Sequence, residues 1–243
     1  MNKSLVFFSA GKDSFIATCR TVEDGNHVTL ISYNSGSVVG EENLVTTAER
    51  LVKHYGSDKI EYAGVYNTAG LYNRYRKSFD TTPFSTIAEK LPNLCISQAR
   101  CMMCQSAMWT AGVGYCIAHE IDTIVTGYRS SDVFCTGSKE FLLRMTSLAE
   151  KHGIHVSLPV WDTKSWDELD GFYRDNEMIR RRFQPAVLEP KCMAGLPCEA
   201  MSDDQESDLI KCYDICVAGM IDEQIQRLVP MFKSFELTDK SLI

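Results

Sequence analysis

The apolar run Leu5-Val6-Phe7-Phe8 stops at Ser9-Ala10-Gly11-Lys12-Asp13-Ser14, and apolar residues resume at helical spacing through Phe15-Ile16-Ala17-Thr18-Cys19. A buried strand that passes into a helix through small and polar residues commits the chain to a βα start. It also makes an anion site. Backbone N–H groups of such a turn and the N-terminus of the helix converge on negative charge, and Lys12 adds a point charge. The hydroxyls of Ser9 and Ser14 can donate to phosphate oxygens, and Asp13 can cap the helix or help hold Mg²⁺. The spacing excludes two commoner phosphate loops, GxxxxGKS/T and the dinucleotide GxGxxG.

The alternation continues downstream. Residues 28–33 read as a second strand ending at Asn34-Ser35-Gly36-Ser37, and 41–55 as a helix closed by Gly56. A third strand is expected at 60–65. Residues 66–100 look less regular and suit a lid or insertion. Helices are expected at 106–120, 141–152 and 166–174, with strands at 123–127 and 155–158. The acidic stretch 199–210 reads as a solvated connector into a last helix at 209–232. Repeated βα units predict an α/β fold with a doubly wound parallel sheet in residues 1–190, followed by a small cysteine-containing helical extension, 191–243. In such sheets ligands lie at the carboxyl ends of strands, near a switch in strand order. That rule gathers residues 9–14, 33–35 and 127–132 into one candidate site. There Arg129 can offset phosphate charge, and Asp132 can bind metal or orient a nucleophile.

Composition sets further bounds. Apolar residues make up 44% of the chain, yet no segment approaches the run of about 20 that a membrane helix needs. A strand begins almost at once, which leaves no room for a signal peptide, so a cytoplasmic enzyme without membrane contact is expected. The net charge of −7 disfavours an extended nucleic-acid surface; the densest basic clusters are Arg180-Arg181-Arg182 and, more weakly, Arg74, Arg76 and Lys77. Ten cysteines in such a chain point to metal, cluster or redox chemistry.

SAGKDS resembles the SGGxDS pyrophosphate loop of the PP-loop N-type ATP pyrophosphatases, the adenine nucleotide alpha hydrolase-like enzymes that cleave ATP to AMP and pyrophosphate. Ala10 stands where that group usually has glycine, and alanine takes positive φ poorly. The resemblance implies a Rossmann-like fold and an AMP-forming enzyme of the ligase or sulfurtransferase kind, using ATP and Mg²⁺. It implies ATP contacts from Ser9, Ala10, Gly11, Lys12, Asp13 and Ser14, and from the strand ends at Tyr33, Asn34 and Gly127. Lys12, Asp13, Arg129 and Asp132 become the expected catalytic residues.

The cysteines bear on what the ATP is for. Cys101-Met102-Met103-Cys104 is a CxxC leading into a helix, able to share a metal or cluster or to form a redox couple. Cys192 and Cys198 sit in a loop-like stretch, and Cys212 and Cys216 share a helix face and read as packing residues. Cys19, Cys116 and Cys135 read as small buried hydrophobes. Two resemblances compete. Gly40-Glu41-Glu42, Ser138-Lys139-Glu140-Phe141 and Leu158-Pro159-Val160 are similar to segments of 7-cyano-7-deazaguanine synthases, which adenylate a small nucleobase-like carboxylate. That group carries a four-cysteine Zn²⁺ site, to which Cys192, Cys198, Cys212 and Cys216 would correspond, although with different spacing and with Arg100-Cys101 in place of its Arg-Asn. Residues 1–60 and 98–135 resemble tRNA 2-thiolation enzymes, and this implies Cys101, Cys104 and a later cysteine as ligands of a 4Fe–4S cluster. The deazaguanine-synthase reading leads for overall relationship, with thiolation as its alternative. Cys192 or Cys198 is expected to fold back and complete a metal site begun by Cys101 and Cys104, with zinc among the C-terminal cysteines, or no metal, as the alternatives. A third reading is a nucleotide-binding module without turnover. Expected partners are ATP and a small nucleobase-like substrate, with tRNA or a protein as alternatives, in a homo-oligomer or a complex.

Overall fold

A computed structural model describes residues 2–36, 38–39, 41–163, 191–192 and 200–234. Five strands, β1 (Lys3–Phe7), β2 (His27–Asn34), β4 (Ile60–Asn67), β5 (Thr123–Val125) and β6 (His155–Ser157), form one parallel sheet in the order β4-β2-β1-β5-β6. Strand order therefore reverses between β1 and β5, which opens a crevice at their carboxyl ends. Two short strands, β3 (Val38–Val39) and β7 (Lys191–Cys192), pair antiparallel beside the sheet. The architecture is the doubly wound α/β fold with a C-terminal helical part.

Both faces of the sheet are covered, so β1 and β2 are buried along most of their length, including the polar residues Ser4, Thr29 and Ser32. Alternate residues of β1 divide the core. Val6 and Phe8 join Phe15 and Ile16 of α1 (Lys12–Glu23) and Leu44 and Leu51 of α2 (Glu41–Tyr55) on one face. Leu5 and Phe7 join Met102, Met103 and Trp109 of α5 (Ile96–His119) on the other. Gly112 lets α5 lie close to the sheet, because a Cβ there would stand 2.4 Å from the Phe7 ring. Helices α3 (Ala69–Thr81), α4 (Phe84–Lys90), α6 (Lys139–Lys151), α7 (Asp203–Tyr213) and α8 (Gly219–Ser234) complete the described part.

Three expectations need correction. Residues 66–100 are regular: β4 runs on to Asn67 and is followed by α3 and α4. The aromatic side chains that suggested irregularity include Tyr75, which is fully buried and hydrogen-bonded to Thr110 of α5 (2.8 Å). Helix α5 begins at Ile96, so the CxxC lies inside it rather than before it. The acidic stretch after residue 199 is the start of α7. Ser202 and Gln205 form a capping box, and Asp203, Asp204 and Glu206 complement the positive helix end, so the charge that suggested solvation is helix-start chemistry. Asp208 is buried and accepts from the Asn93 N–H and the Lys211 ammonium, both at 2.9 Å.

The expected final helix is two helices joined by the π-turn Asp214–Ala218. Its inner face packs on α5, with Leu228 against Gly114 and the Phe232 ring 5.3 Å from that of Tyr115. Among the described residues no helix is long and apolar enough to cross a membrane. The helix expected at 166–174, the cluster Arg180-Arg181-Arg182 and Cys198 lie outside the described residues.

Candidate active site

The turn after β1 is short and internally bonded. The Ser9 N–H donates to Ser14 Oγ (3.2 Å), the Gly11 N–H to Ser9 Oγ (3.3 Å), and Ser14 Oγ to the Gly11 carbonyl (3.1 Å). Since the Ser14 proton is used there, the 3.0 Å contact between the two hydroxyls takes its proton from Ser9. Ala10 is buried with φ of 56°, in the left-handed region that alanine disfavours. This turns the chain so that Gly11 becomes the N-cap of α1, whose first intrahelical bond runs from the Phe15 N–H to the Gly11 carbonyl (3.0 Å). Glycine brings no side chain to the cap, and helix geometry aims the first amides of α1 out of its start. Ser9 is exposed and Lys12 and Asp13 are half-exposed, so the turn meets solvent.

The segment leaving β5 packs directly on this turn. A Cβ at Gly127 would stand 2.5 Å from Ser14 N and 2.7 Å from the Asp13 carbonyl carbon, so only glycine allows the approach. Two residues on, Arg129 is buried, with Nε 3.3 Å from Asp13 Oδ1 and Nη2 3.4 Å from Asp132 Oδ1. Asp132 Oδ2 accepts from the Arg129 N–H and from Thr136 Oγ1, both at 3.2 Å. The structure thus unites Asp13, Arg129 and Asp132 in one carboxylate–guanidinium–carboxylate chain at the switch point.

The other side of the crevice is less as expected. Asn34 ends β2 and organises its exit, its Oδ1 accepting from the Gly36 N–H (2.7 Å). Tyr33 points into the core: its ring lies edge-on to Phe7, its hydroxyl is buried without a hydrogen-bond partner among the described residues, and burial pushes its pKa well up. Only its backbone is available to a nucleotide. Just beyond, Cys104 of α5 donates to Ser35 Oγ (3.2 Å).

The CxxC is split. While Cys104 faces Ser35, Cys101 receives a hydrogen bond from the thiol of Cys135 (3.4 Å), which opens the 3-10 turn Cys135–Gly137. Cys135 has a site partner, contrary to its reading as a plain packing residue; nothing in its sequence context signals that, because the pairing spans 34 residues. Tyr128 was not foreseen either. Its hydroxyl donates to Gln105 and accepts from Trp109 Nε1 (3.1 Å), and burial raises its pKa. Only the aromatic residue beside Gly127 could have pointed to it. Cys192 stands in β7 opposite Val38, three residues beyond Ser35, whereas Cys198 lies outside the described residues. Cys212 and Cys216 are buried against each other. Among the described residues no group of three or more His, Cys, Asp or Glu is placed to hold a metal ion. A bare Mg²⁺ also suits the carboxylates poorly, since both flank the Arg129 guanidinium; the ion fits better as part of MgATP, held by phosphates and water.

Sheet order defines a parallel, doubly wound α/β fold with the turn 9–14 at its switch point. No protein-family model matches the chain, and no curated protein does. Among solved structures the chain is similar to a 4-thiouridine synthetase, in a crystal structure of an RNA complex with bound ATP. The TM-score is 0.66 at 12% identity, covering 94% of this chain and 53% of that one, so the chain spans about half the length of that protein. A second similar structure is a predicted subunit of tRNA methyltransferase from Methanocaldococcus jannaschii, at TM-score 0.46 and 16% identity, covering 71% of this chain and 74% of that one.

Proposed function

We propose that the chain is an ATP-dependent, AMP- and pyrophosphate-forming enzyme that activates a nucleobase carbonyl in RNA and replaces its oxygen with sulfur. The observation that carries this reading is the closure of one crevice by a phosphate turn on one wall and a cysteine-bearing helix on the other. The fold shared with an ATP- and RNA-bound 4-thiouridine synthetase supports the choice of acceptor. The chemistry follows from the placement of the residues. The first amides of α1 receive the β- and γ-phosphates, with Lys12 adding charge, and the hydroxyls of Ser9 and Ser14 donate to them only by giving up the bonds they make within the turn. The base oxygen attacks the α-phosphorus and pyrophosphate leaves. Arg129, steadied by Asp13 and Asp132, offsets the negative charge that builds there. A sulfur nucleophile then bonds to the carbon, and AMP departs with the former carbonyl oxygen. Cys104, at the β2 exit beside Ser35, takes a sulfane sulfur from a persulfide donor and releases the donor's thiol. Its outer sulfur is the atom that bonds to the carbon. A dithiol reductant then breaks the S–S bond, freeing the thiolated base and the Cys104 thiol while the dithiol becomes a disulfide.

Thiolation takes precedence over the deazaguanine-synthase reading for a specific reason. The zinc site of the latter would need Cys212 and Cys216, which are buried in the packing of α7 and α8 against the main domain. The test is release of AMP and pyrophosphate from MgATP with and without unmodified tRNA, a persulfide donor and a dithiol reductant. Equal amounts of both products, dependent on RNA and accompanied by thiolated RNA, are expected. Tight ATP binding with no turnover under any of these conditions would make the chain a binding module.

A further inference from the structure

The contact between Cys101 and Cys135 is not used in the reaction above. Cys101 is partly exposed on the second turn of α5, and Cys135 is fully buried on the loop that leaves β5. Their sulfurs are 3.4 Å apart, and a disulfide bond would need them to close by about 1.3 Å. Two neighbouring tethers already hold these elements together: Gln98 Nε2 donates to the Val133 carbonyl (2.8 Å), and Tyr128 reaches Gln105 and Trp109. The loop has little slack. A Cβ at Gly137 would stand 2.1 Å from the Asp132 carbonyl oxygen, and Thr136 is bonded to the Asp132 side chain. Displacement of Cys135 therefore passes to Asp132, and through it to Arg129 and Asp13.

We propose that Cys101 and Cys135 are a reversible dithiol–disulfide couple whose oxidation distorts the Asp132–Arg129–Asp13 chain and switches off ATP use. The effect on ATP rests on the function proposed above; formation of the bond does not. Cys101 is partly exposed and Cys135 fully buried, so Cys101 meets the oxidant first. With a peroxide as oxidant, the Cys101 thiolate takes an oxygen as the O–O bond breaks, giving a sulfenic acid and, after protonation, water. Cys135 then attacks the Cys101 sulfur, the S–S bond forms, and the S–O bond breaks to release a second water. Two electrons pass from the thiols to the peroxide, and a dithiol reductant reverses the change.

The experiment treats the full chain with hydrogen peroxide and maps non-reduced peptides by mass spectrometry. It then measures pyrophosphate release before treatment, after it, and after dithiothreitol. A linked Cys101–Cys135 peptide is expected, with loss of two of the ten thiols. Activity should drop about tenfold and recover on reduction. Cys135→Ser and Cys135→Ala should match the wild type when reduced and resist peroxide. A Cys101–Cys104 link, or no link, overturns the couple; a link with unchanged activity overturns the switch. If reduced protein turns over no ATP with any RNA, the proposed function and the switch both fall, while the linked peptide still decides whether the couple exists.

Discussion

The two walls of the crevice are built from different material. The wall formed by the turn 9–14 and Gly127 is backbone against backbone: hydroxyls and amides close on one another, and a strand exit passes a helix start with no space for a methyl group. The wall formed by α5 and the loop after β5 is side chain against side chain, joined by sulfur, phenol, amide and indole groups. The first suits the fixed shape of the pyrophosphate proposed to bind there. The second can change its chemistry without refolding. A site that must hold one group still and process another benefits from both.

Gly127→Ala tests the rigid wall most severely. The new methyl group would collide with backbone, which cannot swing aside as a side chain can, so a loss of about 2–3 kcal/mol in stability is expected from overpacking. ATP affinity should fall with it. Urea unfolding and ATP titration measure both, and a variant that kept both values would show that the two elements are less tightly joined than described.

Arg129→Ala should leave the fold standing and lower ATP turnover by about 100-fold, through loss of transition-state charge and of the group that orients two carboxylates. Arg129→Lys should rescue little, because an ammonium cannot span Asp13 and Asp132 as a planar fork does. Full activity in the lysine variant would reduce Arg129 to a spare charge.

Asp208 sharpens the contrast from the sulfur side, where α7 is tied to the approach to α5. Its pKa is lowered chiefly by the Lys211 ammonium, with further hydrogen bonds from Asn93. A depressed folded-state pKa gives stability that is present above the unfolded value and lost as the pH falls through the folded one. Wild type should therefore lose stability below the ordinary carboxylate range, and Asp208→Asn should lose less over that interval. Parallel acid titrations of the two proteins followed by circular dichroism would be inconsistent with this assignment.

The smallest effect is expected at Ala10. Relief of its left-handed backbone is worth about 1–2 kcal/mol. Against this stand the loss of a buried methyl group, about 0.8 kcal/mol, and the added freedom of the unfolded chain, about 0.5–1 kcal/mol. Ala10→Gly should thus change stability by less than about 1 kcal/mol in either direction and leave ATP use intact. A gain above 1.5 kcal/mol in urea unfolding would mean that the turn stores more strain than this balance allows.

The rigid wall was readable because its signals are local. The break from Phe8 to Ser9 and the return of helical spacing at Phe15 give the βα turn, and the rule for parallel sheets brings Gly127, Arg129 and Asp132 to it. The sulfur wall was not. A CxxC spacing says that two thiols share one side of a helix, but which partner each meets depends on loops far off in sequence, here Ser35 and Cys135. The acidic start of α7 misled for another reason: charge alone does not separate a solvated segment from a capped helix start, whereas Ser202 with Gln205 three residues on does. Tyr33 was placed correctly along the chain, but a strand residue's position does not tell which of two covered faces its ring will enter.

The irregularity in the pairing of β2 with β4 has a consequence for how copies of this chain meet. Pairing steps from Leu30–Tyr62 to Ile31–Gly64, which leaves Ala63 as an extra residue, and Gly64 follows with φ of 101°. Among the described residues this kink lies in the outermost strand on that side of the sheet, where a straight strand would present an even row of N–H and C=O groups to any chain that drifted alongside. At the opposite margin β6 is three residues long, too short to template a partner. Both margins of the described sheet thus discourage its continuation into a neighbouring molecule, by curvature on one side and brevity on the other. Self-association of this protein at high concentration should therefore proceed through its helical faces, with no gain in strand signal in infrared spectra.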